Sequence, residues 1–238
     1  MPKTLSDLPV IRFKMQTLPH KEDSSRINMR LRRIGWSPDN VFLKCLNPSI
    51  ALVWNNPSKT IHSEKADIER ELEQLMLIHS AIPDFSPTPI AKIRTSGASS
   101  HRTAGYFMEH IPGRTIVSIF WDGVHMSYKN ASELGAFNPT YIEAATNAAA
   151  VVGLLHSHGI GHGDIHERNL IYDGKKTWVI DPMVEMSTRQ EYLMRNDIKR
   201  LRSLGRNNRK LTGDIIDQYA VNALNSEHGK RLLDMLRY

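Results

Sequence analysis

The chain has 238 residues, with 31 Lys and Arg against 25 Asp and Glu, and a single cysteine, Cys45. With 40% hydrophobic and 24% charged residues, it is excluded from the disordered, collagenous and coiled-coil classes, and one thiol excludes a disulfide-framed secreted scaffold. No run of about eighteen apolar residues occurs, so no membrane partner is expected, and a net charge of +6 favours polyanionic partners. A reducing, cytoplasmic compartment is expected. Export as an effector through a receptor-read signal stays open, because such signals leave little compositional trace.

Residues 1–25 read as a polar N-terminal extension. From Ile27, INMRLRRIG alternates apolar and basic residues and predicts a strand. VFLKCL (41–46) and IALVW (50–54) predict two more, separated by Pro/Asn turns, so the three form an antiparallel meander. Ile68, Leu72, Leu75, Met76 and His79 recur at helical spacing until Pro83 ends the run. IAKIRT (90–95) and GYFME (105–109) predict two further strands.

The second half is mainly helical. Residues 140–159 are Ala-rich, with Gly159 where a C-terminal cap belongs. NLIY (169–172) and TWVI (177–180) flank Asp173-Gly174, a hairpin signal. Residues 188–238 predict charged helices.

Chemistry concentrates in residues 154–182, LLHSHGIGHGDIHERNLIYDGKKTWVIDP. A helix ends, a loop presents His162, Asp164 and Asn169, and the hairpin returns the chain so that Asp181 arrives at the same end. Two carboxylates and one amide converging make a site for a hard divalent cation such as Mg2+, which works with substrate phosphates. A competing reading takes His156, His158, His162 and His166 as a zinc site feeding a hydrolase.

His162-Gly163-Asp164, then Asn169, then Asp181-Pro182 follow the order of the kinase motif H-R-D-x-x-x-x-N and its later metal-binding Asp. The sequence resembles the protein-kinase-like superfamily. It is most similar to minimal members such as the RIO-type and small bacterial effector kinases, and more distantly to aminoglycoside and sugar phosphotransferases. The resemblance implies an α+β, two-lobed kinase-like fold. Residues 26–111 would form a small N-lobe of five antiparallel strands and one helix, and 112–238 a reduced helical C-lobe, with ATP between them. It implies Asp164 as catalytic base, Asn169 and Asp181 as Mg2+ ligands, and Glu71 as the helix glutamate that orients a phosphate-binding lysine. Backbone groups near Glu109 and Ile111 would bind adenine, and Asp197 would brace the catalytic loop.

Three features depart from the pattern. Val53 stands where V-A-I-K places its lysine, leaving Lys44, Lys59 and Lys65 as substitutes, with Lys44 nearest. Only Gly35 remains of a phosphate-covering glycine loop, and 57 residues follow Asp181, too few for a full helical lobe. The expected activity is ATP- and magnesium-dependent transfer of a phosphoryl group to a protein Ser/Thr hydroxyl. A small-molecule kinase and a non-catalytic pseudokinase are the alternatives. The basic run 195–210 reads as a solvated helix face, or as a docking patch for an acidic partner or RNA.

Overall fold

The computed structural model describes residues 4–14, 21–46, 54, 59–62, 68–96, 103–122, 138–183, 190–205 and 208–237. It is a mixed α+β chain that divides into two compact units, residues 1–76 with 87–110, and residues 77–86 with 111–238.

The first unit holds a five-stranded sheet in the order β1-β4-β5-β2-β3. Its strands are β1 (Val10–Lys14), β2 (Val41–Cys45), β3 (Thr60–His62), β4 (Pro89–Ser96) and β5 (Thr103–Glu109). The expected all-antiparallel sheet is corrected here: β4–β5 and β2–β5 are antiparallel, but β1–β4 and β2–β3 are parallel. A parallel pair needs no tight turn, so turn signals could not reveal it.

The strand expected at Ile27 is instead helix α1 (Lys21–Arg33). A strand would bury Ile27, Met29 and Leu31 together. The structure buries Ile27 and Leu31, four apart on one helical face, and leaves Met29 47% exposed. Ile27 and Leu31 pack with Ile11 of β1, Ile93 of β4 and Phe107 of β5. The indole of Trp54 donates to Asn28 (3.2 Å), tying α1 to that core. The unit therefore carries a second helix beside the expected one. The N-terminal extension also supplies structure: a 3-10 turn at Leu5–Asp7, the strand β1, and the buried Leu8. Of the strand expected over residues 50–54 only Trp54 is described, and it is helical; the rest lies outside the described residues.

Helix α2 (Ile68–Ala81) follows the expected spacing. Ile68, Leu72, Leu75 and Met76 pack with Leu8, Tyr106 and Met108 on the other side of the sheet.

The second unit is built on α4 (Pro139–Ser157), whose small residues Ala144, Ala145, Ala148 and Ala149 are fully buried. It also contains α3 (Ile116–Asp122), α5 (Gln190–Gly205), α6 (Arg209–Ala223) and α7 (Glu227–Arg237). Helices α4 and α6 approach closely at Gly153, where an added Cβ would fall 2.4 Å from the carbonyl oxygen of Tyr219. A short antiparallel sheet, β6 (Arg114–Thr115), β7 (Leu170–Tyr172) and β8 (Thr177–Val179), completes the unit.

The β7–β8 turn forms as its Asp-Gly signal requires. Asp173 Oδ1 accepts from the N–H groups of Lys175 and Lys176, each at 2.9 Å, and Gly174 takes φ +94°. Burial opposes charge on Asp173, but these donors and the Trp178 indole outweigh it and hold the carboxyl below its ordinary range.

Candidate functional site

Helix α4 ends at Ser157, and Gly159 turns the chain with φ +72°. The loop that follows lies directly on α5. Gly161 makes this possible, since a Cβ there would sit 2.5 Å from the Met194 nitrogen; at Gly163 (φ +82°) it would sit 2.6 Å from Leu193 Cδ2.

Asp197, fully buried on α5, is the anchor. Its Oδ2 accepts the His162 N–H at 2.7 Å and its Oδ1 accepts the Gly163 N–H at 2.8 Å. His156 reaches the same carboxylate through Nε2 (3.1 Å) and meets the Tyr219 hydroxyl through Nδ1 (2.8 Å). Burial and the adjacent Asp197 charge push the Tyr219 hydroxyl pKa well above its ordinary value. Asp197 thus holds the backbone on either side of the His162–Gly163 bond, while His156 of α4, itself bonded to Tyr219 of α6, holds Asp197.

His162 is buried, and its Nε2 lies 2.9 Å from the Ile180 carbonyl. That partner can only accept, so Nε2 carries the proton. Burial lowers the pKa of His162 against the opposing charges of Asp197, Asp164 and Asp181. Both Asp164 and Asp181 therefore lie within electrostatic reach of this one ring.

The side chain of Asn169 joins the two aspartates. Its Nδ2 donates to the Asp164 carboxylate (3.1 Å), the Asp164 carbonyl (3.1 Å) and the Asp181 carbonyl (3.3 Å). The Ile180 N–H donates to the Asn169 carbonyl at 3.0 Å, and the Met183 N–H to the His162 carbonyl at 3.0 Å. Asp181 has φ +58°, the one left-handed non-glycine residue among those described. A side chain held in that conformation carries local strain, which the surrounding hydrogen bonds offset.

The four histidines do not form a zinc site. His156 and His162 are committed as above and His158 is exposed. His166 faces the Asp164 carboxylate at 3.6 Å and accepts the Arg168 N–H through Nδ1. Among the described residues no three His, Cys, Asp or Glu side chains converge to hold a metal ion. The donor set the loop does offer is two carboxylates and the Asn169 amide oxygen, with Asn169 Nδ2 already spent on its neighbours. Such hard oxygen donors fit magnesium rather than zinc.

In the first unit, Lys44 of β2 and Glu71 of α2 form a buried ion pair, Nζ to Oε1 at 2.8 Å, with side chains 4% and 0% exposed. The Tyr106 hydroxyl, on the strand paired with β2, donates to the same Glu71 oxygen at 2.5 Å. Of the three substitute lysines, Lys44 is the one that meets Glu71. Lys59 donates to the Asp39 carbonyl, and Lys65 lies outside the described residues. Sequence reasoning missed Tyr106. Its alternation with Phe107 placed it on the α2 face of the sheet and was the available signal.

Glu109 closes β5. Its N–H donates to the Thr88 carbonyl at 2.9 Å, and its carboxylate accepts from the Thr88 hydroxyl at 2.7 Å. The N–H of Glu109 is therefore committed within the fold. Ile111 is buried and begins the longer of the second unit's two segments.

On α5, Arg195 pairs with Glu191 at 2.8 Å. Lys199, Arg200, Arg202, Arg209 and Lys210 are exposed and make no ion pair among the described residues. No protein-family model matches the chain, and no curated protein matches it significantly.

Proposed function

We propose that the protein is an ATP- and magnesium-dependent phosphotransferase of the protein-kinase-like kind, acting on protein Ser/Thr hydroxyls. The observation that carries the reading is the Asn169 amide bound to both Asp164 and the Asp181 backbone. Phosphoryl transfer needs a carboxylate to orient the attacking hydroxyl close to oxygen donors for a cation on the phosphates.

In this reading Asp164 accepts the hydrogen bond of the acceptor hydroxyl and then its proton. Asn169 and Asp181 hold Mg2+, which supplies neutralisation of charge on the phosphate oxygens. In the first unit, Glu71 and Tyr106 hold Lys44, the lysine that the resemblance assigns to phosphate contact. Asp197 keeps the loop in register, so that the cost of ordering the reacting groups is met by the fold. The intact Lys44–Glu71 pair favours catalysis over a pseudokinase. Five exposed cations on α5 and α6 disfavour a cationic small-molecule acceptor and favour an acidic polypeptide.

The test is incubation with γ-labelled ATP and cell lysate, with and without Mg2+. Labelled protein that vanishes with the Asp181→Asn substitution supports the reading. Labelled metabolites would move the acceptor to a small molecule, and transfer undiminished by Asp181→Asn would overturn the metal assignment.

A further inference from the structure

We propose that Arg12 and Arg94 form an oxyanion site in the first unit, taking phosphate-type dianions. The two residues are register partners on the parallel strands β1 and β4. Their neighbours Ile11 and Ile93 both enter the core beneath α1, so by strand alternation both arginines lie on the opposite face of the sheet. Paired strands lie about 4.8 Å apart, so two guanidinium stems run side by side.

This is an unfavourable arrangement without an anion. Like charges directly opposite one another destabilise a sheet. Neither arginine makes an ion pair among the described residues. Arg94 Nε is buried and meets no acceptor there. A buried N–H without a partner has a desolvation cost that calls for a specific explanation. Glu69 accepts from Thr103, the β5 partner of Arg94, at 3.0 Å, but forms no ion pair with either arginine.

Positive charge accumulates further at this place. Lys92, two residues before Arg94, is buried on the same face, and its ammonium meets the Leu5 carbonyl at 2.5 Å. Arg30, from α1 on the other face of the sheet, donates to the Arg12 carbonyl at 2.9 Å and adds charge at the edge strand only. Planar guanidinium forks match phosphate oxygens in a two-point fashion that ammonium groups do not. Two adjacent forks favour a dianion over a singly charged carboxylate. The phosphate is either free or carried on a phosphorylated side chain.

The experiment is calorimetric titration of the full chain with inorganic phosphate at fixed ionic strength, with acetate as the monoanion control. Saturable phosphate binding, with acetate at least tenfold weaker, is expected. Arg12→Gln, at an exposed position, and Arg94→Gln, its fold checked by circular dichroism, each raise Kd at least tenfold. Asp181→Asn leaves it unchanged. Absence of saturable binding, or binding intact in both arginine variants, overturns the site. Loss of binding in Asp181→Asn also overturns it, because the phosphate would then belong to the proposed nucleotide site. Repeating the titration with O-phosphoserine separates the two sources: tighter binding than phosphate assigns a phosphorylated side chain, and equal binding assigns free phosphate.

Discussion

The loop around Asp164 and the centre around Lys44 hold charged groups by different means. In the loop, the chain's own N–H groups and one amide do the holding: Asp197 accepts from two consecutive backbone N–H groups, and Asn169 donates to three oxygens. At Lys44 the contacts join side chains. An ammonium from a strand and a carboxylate from a helix meet between apolar layers, with a tyrosine hydroxyl as third member. The difference teaches that a loop packed on a helix can be fixed through hydrogen bonds to its own backbone, whereas a buried ion pair depends on the packing that brings two side chains from separate elements together.

The largest test of that contrast is Asp197→Ala. It strips the acceptor from two buried N–H groups and from His156, and is expected to lower unfolding free energy by about 3–5 kcal/mol, read by urea denaturation. A loss below about 1 kcal/mol would show that packing on α5, not Asp197, fixes the loop. Lys44→Met leaves Glu71 buried beside Tyr106 without its cation, and is expected to cost about 3 kcal/mol. Lys44→Met combined with Glu71→Leu should recover most of that loss, because a buried pair gives little net stability over apolar residues of similar volume. If the double variant is no better than the single one, the pair is held by more than its own attraction.

The pH dependence separates the two regions further. His162 has a lowered pKa in the folded state, so between that value and the ordinary 6.5 the unfolded chain binds a proton that the folded chain does not. Stability should therefore fall as pH drops below about 6.5, by up to about 1.4 kcal/mol per pH unit from this group. Denaturation curves of wild type and His162→Gln over that range should diverge accordingly; parallel curves would remove His162 from the account. The smallest effect is Asp181→Gly, which relieves the left-handed backbone at φ +58°. It should raise stability by about 1 kcal/mol while abolishing transfer. Destabilisation would mean that the Asp181 side chain holds the fold rather than the ligand.

Much of the second unit was legible in the chain, because its signals are local. Gly159 caps α4, Asp173-Gly174 makes the hairpin, and Asp164 and Asn169 are five residues apart within one loop, so their meeting follows from short-range geometry. The first unit was harder to read. Apolar residues at Ile27, Met29 and Leu31 satisfy a strand as well as a helix, and only the burial of two and exposure of the third decided it. The contribution of β1 was hidden for a related reason: a parallel partner 82 residues away, as Val10 is from Lys92, leaves no mark on the sequence near it.

Residue types and their spacing alone therefore determined the chemistry on offer: two aspartates, an asparagine and a hairpin able to return one to the other. Which lysine meets Glu71, that His156 and Tyr219 stand behind the Asp197 already expected to brace the loop, and that Arg12 lies beside Arg94 were decided only by tertiary structure. Each of these contacts joins residues on separate elements, and no local propensity fixes which distant surface an element will bury.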